Sequence, residues 1–314
     1  MTLKKLWPHR TTVNFKENGH AEIRIFSLSA LGEFPEEAAE ALFKDYTALL
    51  HSPAALTLLE DRRARFEKGD RFSYHDSCKE LQTYAKAVGV HPFSSDFLFY
   101  FHLAPALHEQ YKKKSLPEQW FKGVLLGLRC KLMECKEVYG IWGSFVAIWF
   151  SRFWSFSLYA IGRLEFCLIP AAFDYEKDGL SIKKGQLCID VHIPSRGRLV
   201  RRELAQSYKE AAAFFAPKLE APTAFQCESW LLFEHHKEML PPDCGIRRFA
   251  EDYTYMEKAP DEGDLWRIFG NADTSKPELL PENTSLQRVY KRWLSEGNPV
   301  YCGKGIFFCD QFKE

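Results

Sequence analysis

Leu187-Cys188-Ile189-Asp190-Val191-His192-Ile193-Pro194-Ser195-Arg196-Gly197-Arg198-Leu199 runs almost directly into an amphipathic segment, Arg201 to Ala216, and this succession decides the fold. Strand periodicity places Leu187, Ile189, Val191 and Ile193 on one face, expected to be core, and Cys188, Asp190 and His192 on the other. The segment after the loop is a helix. Leu204, Tyr208, Ala211, Ala212 and Phe215 form its apolar stripe, and Pro217 closes it. Two pieces of chemistry follow. Asp190 and His192 stand two residues apart on one strand face, where a carboxylate can orient an imidazole. Ser195 to Leu199 then lead into a helix N-terminus, whose unpaired N–H groups can hold a phosphate, with Arg196 and Arg198 adding charge. A surface ion pair followed by ordinary loop charges is the alternative reading of the same residues.

Working outward, Arg163 to Ile169 alternates polar and apolar up to Pro170 and predicts a strand. Gly179 to Gly185 reads as a turn, Gln186 to Ile193 as the second strand and Thr223 to Phe233 as the third. A short helix over Glu234 to Leu240 stops at Pro241-Pro242. The tail adds an aromatic segment from Phe249 to Met256, a helix capped by Asn283 or Thr284 and running to Leu294, and a hairpin-like stretch from Cys302 to Phe308. Upstream the pattern is helical. Pro35-Glu36-Glu37 opens one helix, and others are predicted near Ala55 to Glu67, Tyr74 to Ala87, Ser95 to Lys113 and Pro117 to Tyr139. Before them, Glu22-Ile23-Arg24-Ile25-Phe26 alternates like a short strand. The crowded apolar stretch from Val138 to Phe173 is broken by Arg152 and Arg163, which argues for a buried helix over a membrane span. The boundary between the halves is expected near residue 155, giving domains 1–155 and 156–314.

Across 314 residues, 42 Lys and Arg balance 42 Asp and Glu, so no bulk field gathers nucleic acid or an anionic membrane, and neither is expected as a partner. Nine cysteines without a repeating spacing argue against a secreted disulfide framework and for the cytoplasm. The opening residues Met1 to Arg10 are basic but precede no apolar run, so no signal peptide is expected. No metal is expected either. His235 and His236 are adjacent, point about 100° apart on a helix and read as a solvated face. Cys130 and Cys135 read as buried small hydrophobes. His75-Asp76-Ser77-Cys78 contains nucleophile and base types without any sign that they converge.

Three blocks carry a resemblance: Tyr159-Ala160-Ile161-Gly162-Arg163-Leu164-Glu165-Phe166, Val191-His192-Ile193-Pro194, and Cys227-Glu228-Ser229-Trp230-Leu231-Leu232. The rhythm of Pro241-Pro242-Asp243-Cys244-Gly245-Ile246-Arg247-Arg248-Phe249 adds to them. Together they resemble a bacterial acyltransferase family that joins a helical N-acyltransferase N-terminal domain to a GNAT-like C-terminal domain. The resemblance implies an α+β fold, a helical domain followed by a mixed α/β domain with a central, mostly antiparallel sheet. It implies transfer of an acyl group, with acetyl-CoA or another acyl-CoA as co-substrate, to a small-molecule or peptide amine. In such folds the strand before the pyrophosphate loop splays from its neighbour. Here that strand is Gln186 to Ile193, and Ile193, Ser195, Arg196, Gly197, Arg198 and Leu199 are the expected cofactor residues. His192 is the expected base, oriented by Asp190, with Glu228 the second choice and Tyr253 or Tyr255 the candidate acid. The family loop has two spaced glycines and this chain has one, Gly197. A noncatalytic GNAT-like scaffold binding a ligand or partner is therefore the alternative.

Overall fold

The computed structural model describes residues 24–259 and 264–312. The chain divides into two compact units, one ending at Phe156 and the other beginning at Ser157.

The first unit is helical. Residues 24–31 form a helix, so Arg24, Ile25 and Phe26 are not in the strand their alternation suggests, while Glu22 and Ile23 lie outside the described residues. Ile25, Phe26 and Ser29 are all buried there, the i, i+1, i+4 stripe of a helix. Five longer helices follow: α1 (Glu36–Leu50), α2 (Pro53–Lys68), α3 (Tyr74–Ala87), α4 (Pro92–Lys113) and α5 (Glu118–Tyr139). Their starts are written in the sequence. Glu36 and Glu37 sit in the first turn of α1, Ser52 accepts the Ala55 N–H of α2, and Ser73 accepts the Asp76 N–H of α3. Helix α4 is the core of this unit, since it is buried on all sides from Phe97 to Ala104.

The aromatic stretch after Tyr139 is not the single helix its apolarity suggests. It breaks into a 3-10 turn at Ala147–Phe150 and one helical turn at Ser151–Trp154, before a strand begins at Tyr159. Phe150, Phe153 and Trp154 are still buried, so the apolar residues serve as core without helical continuity. Among the described residues no helix is long and apolar enough to cross a membrane.

The second unit is built on a six-stranded sheet. Its strands are β1 (Tyr159–Ile161), β2 (Leu164–Pro170), β5 (Leu187–His192), β6 (Ala224–Ser229), β7 (Thr254–Lys258) and β8 (Gly303–Phe308), in the order β1-β2-β5-β6-β8-β7. All neighbours are antiparallel except β5 and β6. A parallel pair needs a long crossover, and α6 (Arg201–Phe215) supplies it. Its Leu204, Tyr208, Ala211 and Phe215 are buried, and Tyr208 packs on Phe166, Phe225 and Phe307 of the sheet.

The opposite face carries a smaller element of the same unit. A small hairpin, β3 (Tyr175–Lys177) and β4 (Leu180–Ile182), lies over one end and packs on Cys188, Ala224, Ile306 and Phe308. The sequence reading took Gly179 as a plain turn and missed this hairpin. Asp178 and Gly179 both adopt left-handed backbone, with φ of 51° and 79°, the pairing an Asp-Gly hairpin turn requires. The hairpin changes the burial of β5 at its start but not its facing: Leu187 is 46 % exposed, and Cys188, on the face of Asp190 and His192 as expected, is fully buried.

The remaining expectations shift at the ends. The third strand stops at Ser229, and Trp230–Leu232 forms a 3-10 turn. The Phe249 to Met256 segment divides between α7 (Gly245–Ala250) and β7, and α8 (Ser285–Ser295) is capped by Thr284 with Gln287 completing the capping box. Gly303 and Gly305 do not turn a hairpin but let the chain after β6 press on β8. A Cβ on Gly303 would stand 2.1 Å from the Leu232 carbonyl oxygen.

Candidate active site

The two central strands part from each other. Strands β5 and β6 pair through Ile189 with Phe225 and Asp190 with Gln226. Beyond that point β5 continues along β2 as far as His192, and β6 continues along β8 as far as Ser229. Each strand stays attached to its outer neighbour while the inner edge opens. Main-chain groups on both arms of the resulting V therefore face each other without joining into a ladder.

The sheet register sorts the side chains around this V. Phe166, Ile189, Phe225 and Phe307 face α6, and the alternate residues Glu165, Cys167, Asp190, His192, Gln226, Glu228 and Lys304 share the opposite face. His192 Nε2 lies 3.0 Å from Asp190 Oδ2, with 23 % and 15 % of the two side chains accessible. An Nε2–H that donates to the carboxylate orients the ring. The strand reading thus placed Asp190 and His192 together, as the structure does. Cys167, which it did not single out, joins them at 3.7 Å from Nε2 and 3.8 Å from Oδ2. No sequence signal links Cys167 to this pair, because the link is the register Cys167↔Asp190 across two strands. Glu228 sits across the V on β6, 49 % exposed, with Lys304 of β8 at 3.6 Å.

Past His192 the chain forms the loop that leads into α6. Ser195, Gly197 and Arg198 are exposed, and Ile193, Arg196 and Leu199 are half-buried. Beneath the loop lies a residue the sequence reading used only as part of a resemblance, Arg163. Its buried guanidinium donates to the carbonyl oxygens of Pro194 at 2.8 Å and Gly197 at 3.1 Å. Its own N–H donates to Ser207 Oγ of α6. Arg196 returns across the same turn to the Gly162 carbonyl. Arg163 thus draws two loop carbonyls inward, and among the described residues the N–H groups of Gly197, Arg198 and Leu199 have no main-chain acceptor. The helix behind them starts at Val200 without a side-chain cap. An uncapped N-terminus flanked by arginines attracts anions.

The two tyrosines lie elsewhere. The ring of Tyr253 packs edge-on to Phe307, on the α6 face, and its hydroxyl pairs with that of Tyr208 at 3.0 Å in full burial. Tyr255 pairs in register with Gly305 and is partly exposed, its hydroxyl held by Tyr301 and its ionisation pushed up by burial. Both line a pocket of about 180 Å³ together with Phe233, His236 and Arg247. His192 and these tyrosines therefore occupy opposite faces of the sheet.

Other candidates resolve into structure. His236, expected on a solvated face, is buried: Nδ1–H donates to the Leu231 carbonyl and Nε2 accepts from Tyr290 at 2.6 Å, while desolvation lowers its pKa to about 4. Cys130 and Cys135 are buried. Ser77 of the His75 to Cys78 run accepts from Arg62 Nε on the neighbouring helix.

A helical unit followed by a sheet whose central strands part is an arrangement that two family models match. Residues 26–156 match the N-acyltransferase N-terminal domain, and residues 158–307 match the GNAT-like C-terminal domain. The chain belongs to the family that joins these two domains. Its fold is α+β, helices first and then a mostly antiparallel sheet with one parallel pair. Among solved structures it is similar to an acyltransferase in complex with CoA and 10C-teicoplanin, at 22 % identity and a TM-score of 0.66, covering 98 % of this chain and 93 % of that one. It is also similar to an acyltransferase in complex with decanoyl-CoA, at 21 % and 0.64, covering 97 % and 92 %. A mutant acyltransferase with octanoyl-CoA aligns at 20 % and 0.63, covering 98 % and 93 %. No curated protein matches the chain. At these identities the likeness to solved structures is one of fold.

Proposed function

We propose that the chain is an acyltransferase that moves an acyl group directly from a CoA thioester to an amine. One observation carries this reading: the V between β5 and β6 opens directly beside the loop and uncapped start of α6. Thioester and diphosphate need binding groups of these two kinds, adjacent and in this order. Main-chain N–H groups at the V polarise the thioester carbonyl and stabilise charge that develops on its oxygen. Ile193, Ser195, Arg196, Gly197, Arg198 and Leu199 hold the diphosphate, chiefly through amides exposed because Arg163 draws the loop carbonyls away. His192, oriented by Asp190, takes the proton from the amine as it attacks, with Glu228 across the V as the second candidate. The thiolate that leaves takes its proton from solvent, since Tyr253 and Tyr255 lie on the opposite face of the sheet from His192.

Acyltransferases of similar fold support the choice of donor, since their structures hold CoA, octanoyl-CoA and decanoyl-CoA, and one also holds teicoplanin. A small-molecule or peptide amine is the acceptor class proposed here. The domains that divide this work are 1–155 and 156–314. Nine cysteines without a repeating spacing fit a reducing cytoplasm.

Thermal shift and calorimetry with acetyl-, octanoyl- and decanoyl-CoA test the donor, because a ligand bound by the folded state alone raises the melting temperature. His192→Ala is expected to lower the rate of thioester consumption by roughly 100-fold or more with CoA affinity within about twofold of wild type. Full turnover in that variant removes His192 from the mechanism. Failure of every CoA species to bind removes the cofactor assignment.

A further inference from the structure

Cys167, Asp190 and His192 offer three different donor atoms at three mutual distances: Sγ to Nε2 is 3.7 Å, Sγ to Oδ2 3.8 Å and Nε2 to Oδ2 3.0 Å. All three lie within 4.8 Å of one another. A tetrahedral zinc with Zn–S of ~2.3 Å and Zn–N and Zn–O of ~2.0 Å sets S···N and S···O near ~3.5 Å and N···O near ~3.3 Å. The structure departs from that triangle by roughly 0.3 Å or less at each side, within the movement of a single rotamer. The positions are also fixed. Cys167 and Asp190 face each other in register on paired central strands, so the triangle is built by the sheet and not by mobile loops.

The composition suits the same ion. Thiolate, imidazole and carboxylate are ligands zinc takes together, and a three-ligand site leaves the fourth position for water. Asp190 and His192 keep part of their side chains accessible, which gives an ion a way in, whereas Cys167 is 2 % exposed and supplies the deep ligand.

We propose that Cys167, Asp190 and His192 form a binding site for a divalent cation of zinc type. Nothing in this assignment depends on acyl transfer. Where it meets that reading, the ion and the reaction exclude each other, because the metal fixes the His192 ring and occupies the carboxylate that orients it. Proton balance gives the site a signature. The thiol proton goes to solvent, the Nε2 proton is re-sited on Nδ1, and Asp190 enters as carboxylate, so one proton is released per ion bound. Affinity should then rise about tenfold per pH unit while the thiol is protonated.

Cobalt(II) reports the site, since a thiolate ligand gives it an intense near-ultraviolet charge-transfer band. Purified full-length protein stripped with chelator is expected to bind one cobalt with that band, to lose it on adding zinc and to show the pH dependence above. Cys167→Ser should abolish the band and weaken zinc by more than about 100-fold, beyond the loss of roughly 10–100-fold that outer-shell changes produce. Cys188→Ser, changing the neighbouring thiol beneath the hairpin, should leave both intact. Absence of the band in wild type, its persistence in Cys167→Ser, or its loss in Cys188→Ser overturns the assignment. Should Cys167→Ser fail to fold, zinc X-ray absorption on wild type decides: one sulfur with one imidazole supports the site, and any other count refutes it. Thioester turnover by the metal-free protein is measured separately, so either reading can fail without the other.

Discussion

Arg163→Met removes the support beneath the proposed diphosphate loop while keeping most of the side-chain volume. Wild-type Arg163 donates two charge-assisted hydrogen bonds, to Pro194 O and Gly197 O. A bond of this kind contributes about 1.5–3 kcal/mol. The two acceptors respond differently to its loss. Pro194 is buried but its carbonyl also accepts the Arg196 N–H at 2.7 Å, whereas Gly197 is exposed and its carbonyl can turn to water. Neither acceptor is left bare, so the loss stays near the worth of one such bond, ~1.5–3 kcal/mol of stability. Released carbonyls also free the loop, and re-ordering even two residues on binding costs about 2 kcal/mol, more than tenfold in Kd for CoA. Arg163→Lys should fall between, because one ammonium cannot bridge both oxygens as the fork does. Urea unfolding and CoA calorimetry measure the two effects on the same variants. Lower stability with unchanged CoA affinity would refute the claim that Arg163 shapes a ligand loop, and unchanged stability would refute the hydrogen-bond argument.

Two further predictions concern the frame of the site. Gly179→Val places a β-branched residue where φ is 79° and should cost ~1–2 kcal/mol, loosening the β3–β4 hairpin and raising the labelling rate of Cys188, measured with a thiol reagent on the native protein. Labelling that stays at the wild-type rate would show the hairpin is not what shields Cys188. His236, held neutral with a pKa lowered to about 4 from its usual 6.5 by burial, stabilises the fold above pH 6.5, and this contribution is lost as pH falls toward 4, since the unfolded chain takes the proton first. In urea unfolding across that range, the stability gap between wild type and His236→Gln should narrow by up to ~3 kcal/mol, and a gap independent of pH contradicts the burial argument.

What the sequence disclosed, and what it did not, follows from how far each interaction reaches along the chain. Helix starts are local, so Ser52, Ser73 and Thr284 announce α2, α3 and α8 within three residues. The Asp190–His192 pair is local too, a matter of strand period. Cys167 and Arg163 act at separations of 23 to 34 residues, through strand register and across a loop, and period alone does not reveal them. Cys188 and Leu187 were assigned to the wrong environments because a hairpin from a different part of the chain covers one and not the other. The Asp178-Gly179 signal for that hairpin was present and was passed over. Gly303 and Gly305 misled for the opposite reason: glycine marks close approach as readily as a turn, and only the Leu232 carbonyl shows which applies.

The single glycine of the loop bears on whether this scaffold can hold a diphosphate at all. A second glycine is needed if a side chain would otherwise stand between the amides and the phosphates. Here Gly197 takes the left-handed backbone, with φ of 73°, and Arg163 holds its carbonyl from the inner side. Arg198, which follows, is exposed and adds positive charge beside the loop. Loop amides can then be presented by pulling the carbonyls inward with a buried guanidinium, a role that a further glycine fills by backbone freedom alone. The single glycine and the buried Arg163 are on this account one feature.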